Sequence, residues 1–196
     1  MNDARTVLVL GGGVGGVVAA RELRKRLPRL HRIVLIDRER EHVFAPSLIW
    51  LMVGLRKAAS IRRPLARLAR RGIEVVHGEI ENIDLEARSV TVAGQRIVAD
   101  HIIVSLGAEL APEAVPGLVG AGHNFYTLAG AMAFYDALRT LKSGRIVVLT
   151  AAPAYKCPAA PYEVAMLVDD FCRKAGTRAS ISVDVYAAEP GPMSKP

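Results

Sequence analysis

The sequence has few of the features that define several common classes of protein. It contains two cysteines in 196 residues, which are too few for a disulfide scaffold. Its longest apolar run, residues 48–55, is far shorter than the roughly 18 residues that a membrane span needs. Aromatic residues make up 5% of the chain, and no nucleic-acid motif accompanies its basic residues. These absences argue against a disulfide scaffold, a membrane-spanning protein and a DNA- or RNA-binding protein.

The composition is that of a globular protein. Hydrophobic residues make up 51% of the chain, so it can bury a substantial core. The net charge of +7 indicates an anionic partner or surface. The first residues pass directly into a predicted strand, so no signal peptide is predicted, and the expected location is cytoplasmic or peripheral to a membrane. The sequence leaves homo-oligomer formation open and predicts no metal site.

The most informative stretch lies near the start of the chain. Residues 6–10 are apolar and β-branched and predict a buried parallel strand, and residues 17–27 resume at helical spacing. The loop between them is rich in glycine, with Gly11, Gly13, Gly15 and Gly16 among its residues. The loop fits G-x-G-x-x-G, in which glycines allow the tight turn, the approach of a pyrophosphate and the packing of the helix. A helix N-terminus there offers free N–H groups to a phosphate.

An acidic residue follows the next predicted strand. Residues 32–36 predict that strand, and Asp37 ends it about twenty residues after the last glycine of the loop. A carboxylate at this place accepts hydrogen bonds from the hydroxyls of an adenosine ribose. The two features therefore predict binding of the ADP half of a dinucleotide with an unphosphorylated ribose. They do not distinguish FAD from NAD.

The order of the predicted elements defines the fold class. Residues 73–77 predict another parallel strand, residues 80–99 a small antiparallel meander, and residues 101–105 a return strand. Prolines and glycines after residue 111 then mark a boundary. The chain is predicted to be α/β: an FAD-binding Rossmann-like domain with a β-meander insertion, residues 1–112, followed by the start of a second Rossmann-like domain, residues 113–196.

The second predicted domain is short. A helix over residues 127–141 precedes a strand at 145–150, a helix at 161–175 and a strand at 180–188. One β-α-β unit cannot cover its own sheet, so we expect this domain to be incomplete and the polypeptide to be truncated.

Two segments between the strands of the first domain are also predicted to be helical. Residues 46–54 begin with Pro46, which suits the first turn of a helix. Residues 56–71 carry seven basic residues, with Ser60 as a possible N-cap. The arginines of residues 56–71 either form a solvated helix face or bind a partner, which is acidic lipid or another protein.

The turn after the strand at 145–150 lacks the expected second glycine loop. Residues 151–163 contain no glycine and three prolines. Side chains block the close approach of a pyrophosphate, and proline removes backbone donors. A nicotinamide cofactor is therefore not expected in this turn.

A cysteine stands in that turn instead. Cys157 lies next to Lys156 and just before a predicted helix, and both the helix dipole and the ammonium group favour a thiolate. The alternative interpretation is that Cys157 is a small hydrophobic residue buried in the core. Glu163 lies in the first turn of the helix. It is either a carboxylate that stabilises the helix through its dipole or a general acid/base for the thiol. Cys172 borders the apolar stripe of this helix and is predicted to lie in the core.

These motifs resemble the sulfide:quinone oxidoreductases and the flavoprotein subunit of flavocytochrome c sulfide dehydrogenase. The resemblance is carried by the glycine loop with Asp37, Phe44-Ala45-Pro46-Ser47 running into Trp50 and Gly54, Ser105-Leu106-Gly107, and Lys156-Cys157-Pro158 through Pro161-Tyr162-Glu163. It covers essentially the whole chain, but only about the N-terminal half of a family member.

The resemblance implies a cofactor and roles for individual residues. The cofactor is FAD, its ADP moiety is held by Gly11, Gly13, Gly16 and Asp37, and Gly15 is a further cofactor-binding residue. The resemblance also places Pro46 near the isoalloxazine, Val76 near the adenine and Gly107 near the pyrophosphate. Cys157 matches a redox-active cysteine that cycles through a disulfide or persulfide, and Glu163 matches a carboxylate that moves protons beside it.

The implied activity is oxidation of sulfide to sulfur or polysulfide, with electrons passing through FAD to a quinone or a cytochrome. The family's partner cysteine, its second FAD-binding segment and its amphipathic membrane- or cytochrome-contact elements lie in its C-terminal half. Two other interpretations stay open: an NADH:quinone or NADH:disulfide reductase of the same fold, and a non-catalytic flavin-binding or interaction module.

Overall fold

The structure is a computed structural model that describes residues 3–153 and 155–191. The chain folds into two compact units. The first combines residues up to Phe44 with Arg62–Leu110, and the second combines Ala45–Ile61 with the residues from Ala111 onward. The predicted domains, 1–112 and 113–196, stay a prediction; the compact units differ from them by assigning Ala45–Ile61, Ala111 and Pro112 to the second unit.

A parallel sheet forms the centre of the first unit. Its strands are β1 (Thr6–Leu10), β2 (Arg32–Asp37), β5 (Glu74–His77) and β9 (His101–Val104), in the order β5-β2-β1-β9. All three pairings are parallel, and Leu8 of β1 lies opposite Val34 and Ile102. Leu8 and Val34 are fully buried, as expected for central strands covered on both faces. The predicted Rossmann-like sheet is confirmed.

The two faces of this sheet are covered by different elements. One face packs against α1 (Val14–Arg26) and a 3₁₀ helix (Leu65–Arg71), which contribute Ala20, Leu65 and Leu68 to a shared apolar cluster. The other face packs against the antiparallel meander of β6 (Ile80–Asp84), β7 (Ser89–Val92) and β8 (Gln95–Val98). The predicted meander is therefore confirmed.

We expect Leu8→Ala to lower the free energy of unfolding by about 3 kcal/mol. The substitution removes a fully buried side chain and leaves a cavity between the parallel sheet and the meander. Urea unfolding followed by circular dichroism measures the change. Leu85→Ala is the control, since Leu85 is 70% exposed and its loss should change stability by less than about 0.5 kcal/mol. Equal losses in the two variants would contradict the assignment of Leu8 to the core.

The helix expected in the basic stretch, residues 56–71, is not continuous. This stretch forms α3 (Ala58–Ile61), then β4 (Arg62–Pro64) and then the 3₁₀ helix Leu65–Arg71. Strand β4 pairs antiparallel with β3 (Glu41–Val43). Pro64 interrupts the helical pattern, because proline lacks an N–H and disfavours helical backbone in the preceding residue. Ser60 lies inside α3 and its hydroxyl donates to the Lys57 carbonyl at 2.7 Å, so it is not an N-cap.

The predicted helix over residues 46–54 is shorter than expected. A 3₁₀ turn, Ala45–Ser47, leads into α2 (Leu48–Leu51), and the chain turns away at Gly54. In the second unit, α2 packs against α4 (Leu128–Thr140) and α5 (Ala160–Lys174). Further 3₁₀ turns lie at Pro112–Ala114 and Arg178–Ser180.

The second unit contains the predicted β-α-β motif. Strands β10 (Gly144–Thr150) and β11 (Ile181–Ala187) pair in parallel, and α5 connects them and packs against both. Residues of β10 alternate: Ile146 and Val148 are buried, whereas Val147 and Leu149 are about half exposed. The motif covers one face of its two strands and leaves the other face open, as expected for a single β-α-β unit.

Candidate functional site

Two glycines of the first loop are required by close packing. The Gly11 N–H donates to the Ile36 carbonyl at 2.8 Å, and Gly11 has a left-handed φ of +102°. A Cβ on Gly11 would lie 2.3 Å from the Ser105 carbonyl oxygen, and one on Gly16 would lie 1.8 Å from the Gly11 carbonyl oxygen. Glycine is therefore the residue that allows the tight turn and the close packing of α1 against it.

Gly13 differs from Gly11 and Gly16 in its surroundings. A Cβ on Gly13 would meet no atom within 4 Å, so the fold itself does not need a glycine there. Gly13 lines a cavity at the carboxyl ends of the parallel strands. In the G-x-G-x-x-G pattern this position allows a pyrophosphate to touch the backbone, and the open space above Gly13 fits that role.

The cavity lies entirely within the first unit and has a volume of about 550 Å³, which is in the usual range for cofactor sites. It lies beside β1, whose two neighbours are β2 and β9. Ligands of doubly wound sheets bind at this kind of switch point. The residues that line it are Gly11, Gly12, Gly13, Ile36, Asp37, Arg38, Glu39, Glu41, His42, Val43, Gly78, Glu79, Ile80, Leu106, Gly107, Ala108 and Glu109.

Asp37 links the second strand to the glycine loop. Its carboxylate accepts a hydrogen bond from the Glu39 N–H at 2.6 Å and another from the Gly12 N–H. Each carboxylate oxygen has a further lone pair. The side chain can therefore fix the loop and still accept hydrogen bonds from ribose hydroxyls in the cavity.

Gly107 and Gly15 lie on the segments that surround Gly13. Gly107 has a left-handed φ of +74°, lines the cavity, and a Cβ there would meet no atom within 4 Å. The backbone after β9 is thus open at this point, and the pyrophosphate contact of Gly107 stays a prediction. Gly15 lies in the first turn of α1 and outside the cavity lining, and a Cβ on it would lie 2.7 Å from Ser105 Oγ.

The sequence reasoning missed two side chains in this cavity. His42 Nδ1 lies 2.9 Å from the Gly12 carbonyl oxygen, so the ring donates to the glycine loop from β3. Arg38 forms ion pairs with Glu109 at 2.5 Å and with Glu79 at 4.0 Å across the rim. The only signal in the sequence was that both follow Asp37 closely in a polar turn.

Besides Gly15 and Gly16, two further predicted cofactor contacts, Val76 and Pro46, do not line this cavity. Val76 in β5 is partly buried and packs against the core on the meander side of the sheet, whereas Gly78 and Glu79 face the cavity. Pro46 is exposed in the 3₁₀ turn of the second unit. Their predicted positions near the adenine and the isoalloxazine stay predictions.

Cys157 is exposed in the loop between β10 and α5. It has a left-handed φ of +54°, which is uncommon for a residue with a side chain. Its carbonyl accepts a hydrogen bond from the Ala160 N–H at 2.9 Å. The alternative that Cys157 is a buried hydrophobic residue is wrong, and the prediction that Cys172 lies in the core is confirmed, because Cys172 is 0% exposed.

Glu163 lies in the first turn of α5, where its N–H donates to the Ala159 carbonyl at 3.0 Å. Across residues 3–153 and 155–191, no hydrogen bond joins its carboxylate to the Cys157 sulfur. Its role as a general acid/base stays a prediction. The same residues contain no cluster of three or more His, Cys, Asp or Glu that could hold a metal ion.

Tyrosines flank the cysteine loop. The Tyr126 hydroxyl donates to the Lys156 carbonyl, and burial, with a smaller contribution from the charge of Cys157, raises the pKa of Tyr126. The Tyr155 hydroxyl donates to Glu189. That hydrogen bond raises the pKa of Tyr155 to about 12 and lowers the pKa of Glu189.

A known family matches most of the chain. Residues 5–153 match the family model described as pyridine nucleotide-disulphide oxidoreductase. The chain belongs to this family. Its members are flavin oxidoreductases.

Individual relatives agree with the predicted resemblance. The sulfide-quinone reductase of Aquifex aeolicus is 31% identical over 193 residues, which are 95% of this chain and 44% of that protein. The X-ray structure of the sulfide:quinone oxidoreductase from the same organism superposes with a TM-score of 0.88 at 30% identity, covering 95% of this chain and 44% of that one. The predicted resemblance and fold class are confirmed.

A relative that is not named as a sulfide:quinone oxidoreductase matches part of the chain. The demethylphylloquinone reductase NdbB of Synechocystis is 30% identical over 152 residues, which are 72% of this chain and 38% of that protein. The chain therefore spans less than half the length of these curated relatives. In the described segments of the chain, no helix combines the length and apolar character needed to cross a membrane.

Proposed function

We propose that the protein is an FAD-dependent oxidoreductase that takes electrons from sulfide at Cys157 and passes them to a quinone or a cytochrome. The observation that carries the proposal is the exposed Cys157 in the loop after β10. This loop follows the first strand of the second β-α-β motif, where a dinucleotide-binding unit has its glycine loop. The names of the Aquifex relative and its solved structure support the choice of sulfide.

The first unit has the features that an FAD site requires. The glycine loop leaves open space at Gly13, and Gly107 faces the same cavity from the segment after β9. Asp37 presents its carboxylate to that cavity for the ribose hydroxyls, and the N-terminus of α1 offers free N–H groups to the pyrophosphate. When bound, FAD would supply a two-electron acceptor that returns its electrons to a quinone or a haem.

The residues of the second unit supply the sulfur chemistry. In the proposed reaction, hydrosulfide attacks a disulfide between Cys157 and a second cysteine; a new S–S bond gives a persulfide, and the other cysteine leaves as a thiolate. Glu163 would take the proton of the persulfide. Cys172 is not the second cysteine, because it is fully buried in α5. The resemblance places that cysteine in a part of the relatives that this chain does not cover.

The charge of the protein favours this substrate. Hydrosulfide is an anion at neutral pH, and the net charge of +7 raises its local concentration. A quinone acceptor would imply peripheral contact with a membrane, where such acceptors dissolve.

An anaerobic titration of the flavin-loaded, full-length protein tests the proposal. We expect sulfide to remove the visible absorbance of oxidised flavin and NADH to leave it unchanged, because the loop after β10 lacks a glycine-lined place for a pyrophosphate. Reduction by NADH but not sulfide would overturn the proposal in favour of an NADH:quinone reductase, the activity class that the similarity to NdbB leaves open. Reduction by neither would favour a non-catalytic flavin-binding module.

A further inference from the structure

An acidic residue follows the second strand in both units, but the two carboxylates have different neighbours. Asp37 ends β2 in the first unit, and Glu189 follows shortly after β11 in the second. In a dinucleotide fold, a carboxylate at this place binds the adenosine ribose. Asp37 faces an open cavity. Glu189 instead accepts hydrogen bonds from side chains of its own unit.

Two side chains use both oxygens of Glu189. Thr150, the last residue of β10, donates from Oγ1 to Glu189 Oε2 at 3.0 Å. Tyr155 donates from its hydroxyl to Glu189 Oε1. The Thr150 hydroxyl also accepts the Ala188 N–H at 3.2 Å. These contacts join the carboxyl ends of β10 and β11 to the loop that carries Cys157.

The cysteine loop needs such support. The Cys157 backbone is left-handed, with a φ of +54°, and a residue with a Cβ keeps this conformation when its surroundings hold it there. Tyr155 precedes Cys157 by two residues, and its hydroxyl lies 3.5 Å from the Pro158 carbonyl oxygen. On the other side of the loop, the Tyr126 hydroxyl donates to the Lys156 carbonyl.

We propose that Glu189, Tyr155 and Thr150 form a clamp in which Glu189 is a positioning residue that holds the Cys157 loop. The clamp ties the carboxylate that follows the second strand of this unit to the cysteine loop, whereas the carboxylate of Asp37 faces an open cavity. The proposal rests on the proposed function only for the reaction that Cys157 carries out.

Cleavage of the native protein by endoproteinase Lys-C tests the clamp without any catalytic assay. Lys156 lies in the exposed part of the loop, and cleavage after it requires local opening. We expect Tyr155→Phe and Glu189→Gln to accelerate this cleavage about 5- to 10-fold, because each removes a charge-assisted hydrogen bond. Cleavage after Lys142 and Lys174, measured by mass spectrometry in the same samples, should stay unchanged and thereby exclude global unfolding.

Two further comparisons make the test specific. Tyr186→Phe is the matched control, since Tyr186 is on β11 but its hydroxyl contacts Arg145, and we expect the wild-type cleavage rate. Thr150→Ser keeps the hydroxyl and should retain the wild-type rate, whereas Thr150→Val keeps the shape and should match Glu189→Gln. Unchanged cleavage after Lys156 in both Tyr155→Phe and Glu189→Gln would overturn the clamp.

The catalytic readout separates the clamp from the proposed function. In the flavin-loaded protein, Glu189→Gln should lower kcat for sulfide-driven flavin reduction about 10-fold with little change in KM, because a misplaced thiol loses orientation rather than substrate binding. A wild-type kcat in this variant would overturn the positioning role. Faster cleavage after Lys156 in a protein whose wild type is not reduced by sulfide would support the clamp and overturn the proposed function.

Discussion

Replacing Cys157 with serine is expected to lower the rate of flavin reduction by sulfide at least 100-fold, because a serine hydroxyl can form neither the disulfide nor the persulfide of the proposed reaction. The substitution should leave the fold intact, since Cys157 is exposed and serine is nearly the same size. Anaerobic stopped-flow absorbance of the flavin-loaded protein, mixed with sulfide in excess, measures the rate directly.

Cys172→Ala is the control for this experiment. Cys172 is fully buried in α5, so its replacement should lower stability by about 1 kcal/mol through loss of packing but leave the rate of flavin reduction unchanged. A Cys157→Ser protein that sulfide reduces at the wild-type rate would remove Cys157 from the reaction. The same outcome would show that the clamp at Glu189 does not act on catalysis through Cys157.

The second large effect concerns Gly13, where alanine should weaken FAD binding at least 10-fold without loss of stability. The backbone of Gly13, with φ −68° and ψ −173°, suits any residue, and a Cβ there meets no protein atom within 4 Å. The methyl group would instead occupy the space through which a pyrophosphate reaches the backbone. Flavin fluorescence titration of the apoprotein measures the affinity, and urea unfolding measures the stability.

Gly16→Ala and Gly122→Ala define the two limits of this comparison. A Cβ on Gly16 would lie 1.8 Å from a backbone oxygen, so that variant should lose both flavin affinity and several kcal/mol of stability. Gly122 has no neighbour within 4 Å of a Cβ and lies in the second unit, so alanine there should change neither. Wild-type flavin affinity in Gly13→Ala would show that the pyrophosphate does not approach this loop.

The central sheet could be predicted from the sequence because its strands are covered on both faces. Buried parallel strands appear as continuous apolar runs, and residues 6–10 and 32–36 have this character. The glycine loop was equally predictable, since Gly16 packs against Gly11 within a local strand-turn-helix motif. The close contact of Gly16 depends on a neighbouring residue of the same loop, which a sequence pattern represents, whereas that of Gly11 is with the distant Ser105.

The segment between residues 56 and 71 could not be predicted in the same way. Its arginines and leucines recur at helical spacing, but Pro64 and the pairing of β4 with β3 override that preference. Strands of three residues with polar side chains carry no alternating pattern. Pairing with the distant strand Glu41–Val43 therefore determines that Arg62–Pro64 is a strand.

The polar contacts of both sites also escaped prediction. His42 approaches Gly12 from another strand, and Glu189 reaches Tyr155 and Thr150 across the ends of two paired strands. Each contact joins residues that are far apart in sequence, and histidine or glutamate at such positions is common on solvent-exposed surfaces. Their importance becomes visible only when the strand ends are brought together.

The course of the backbone between the two units has a practical consequence for dissecting the protein. The chain leaves the first unit after Phe44, returns at Arg62 and leaves again after Leu110. A gene cut at codon 112 would therefore produce a polypeptide that retains α2 but lacks α4 and α5, the helices against which α2 packs. This fragment would expose to water an aggregation-prone apolar surface. It would include Leu48, Leu51 and Met52, which are buried in the intact chain. A soluble flavin-binding fragment would need a short polar linker from Phe44 to Arg62 in place of the intervening seventeen residues.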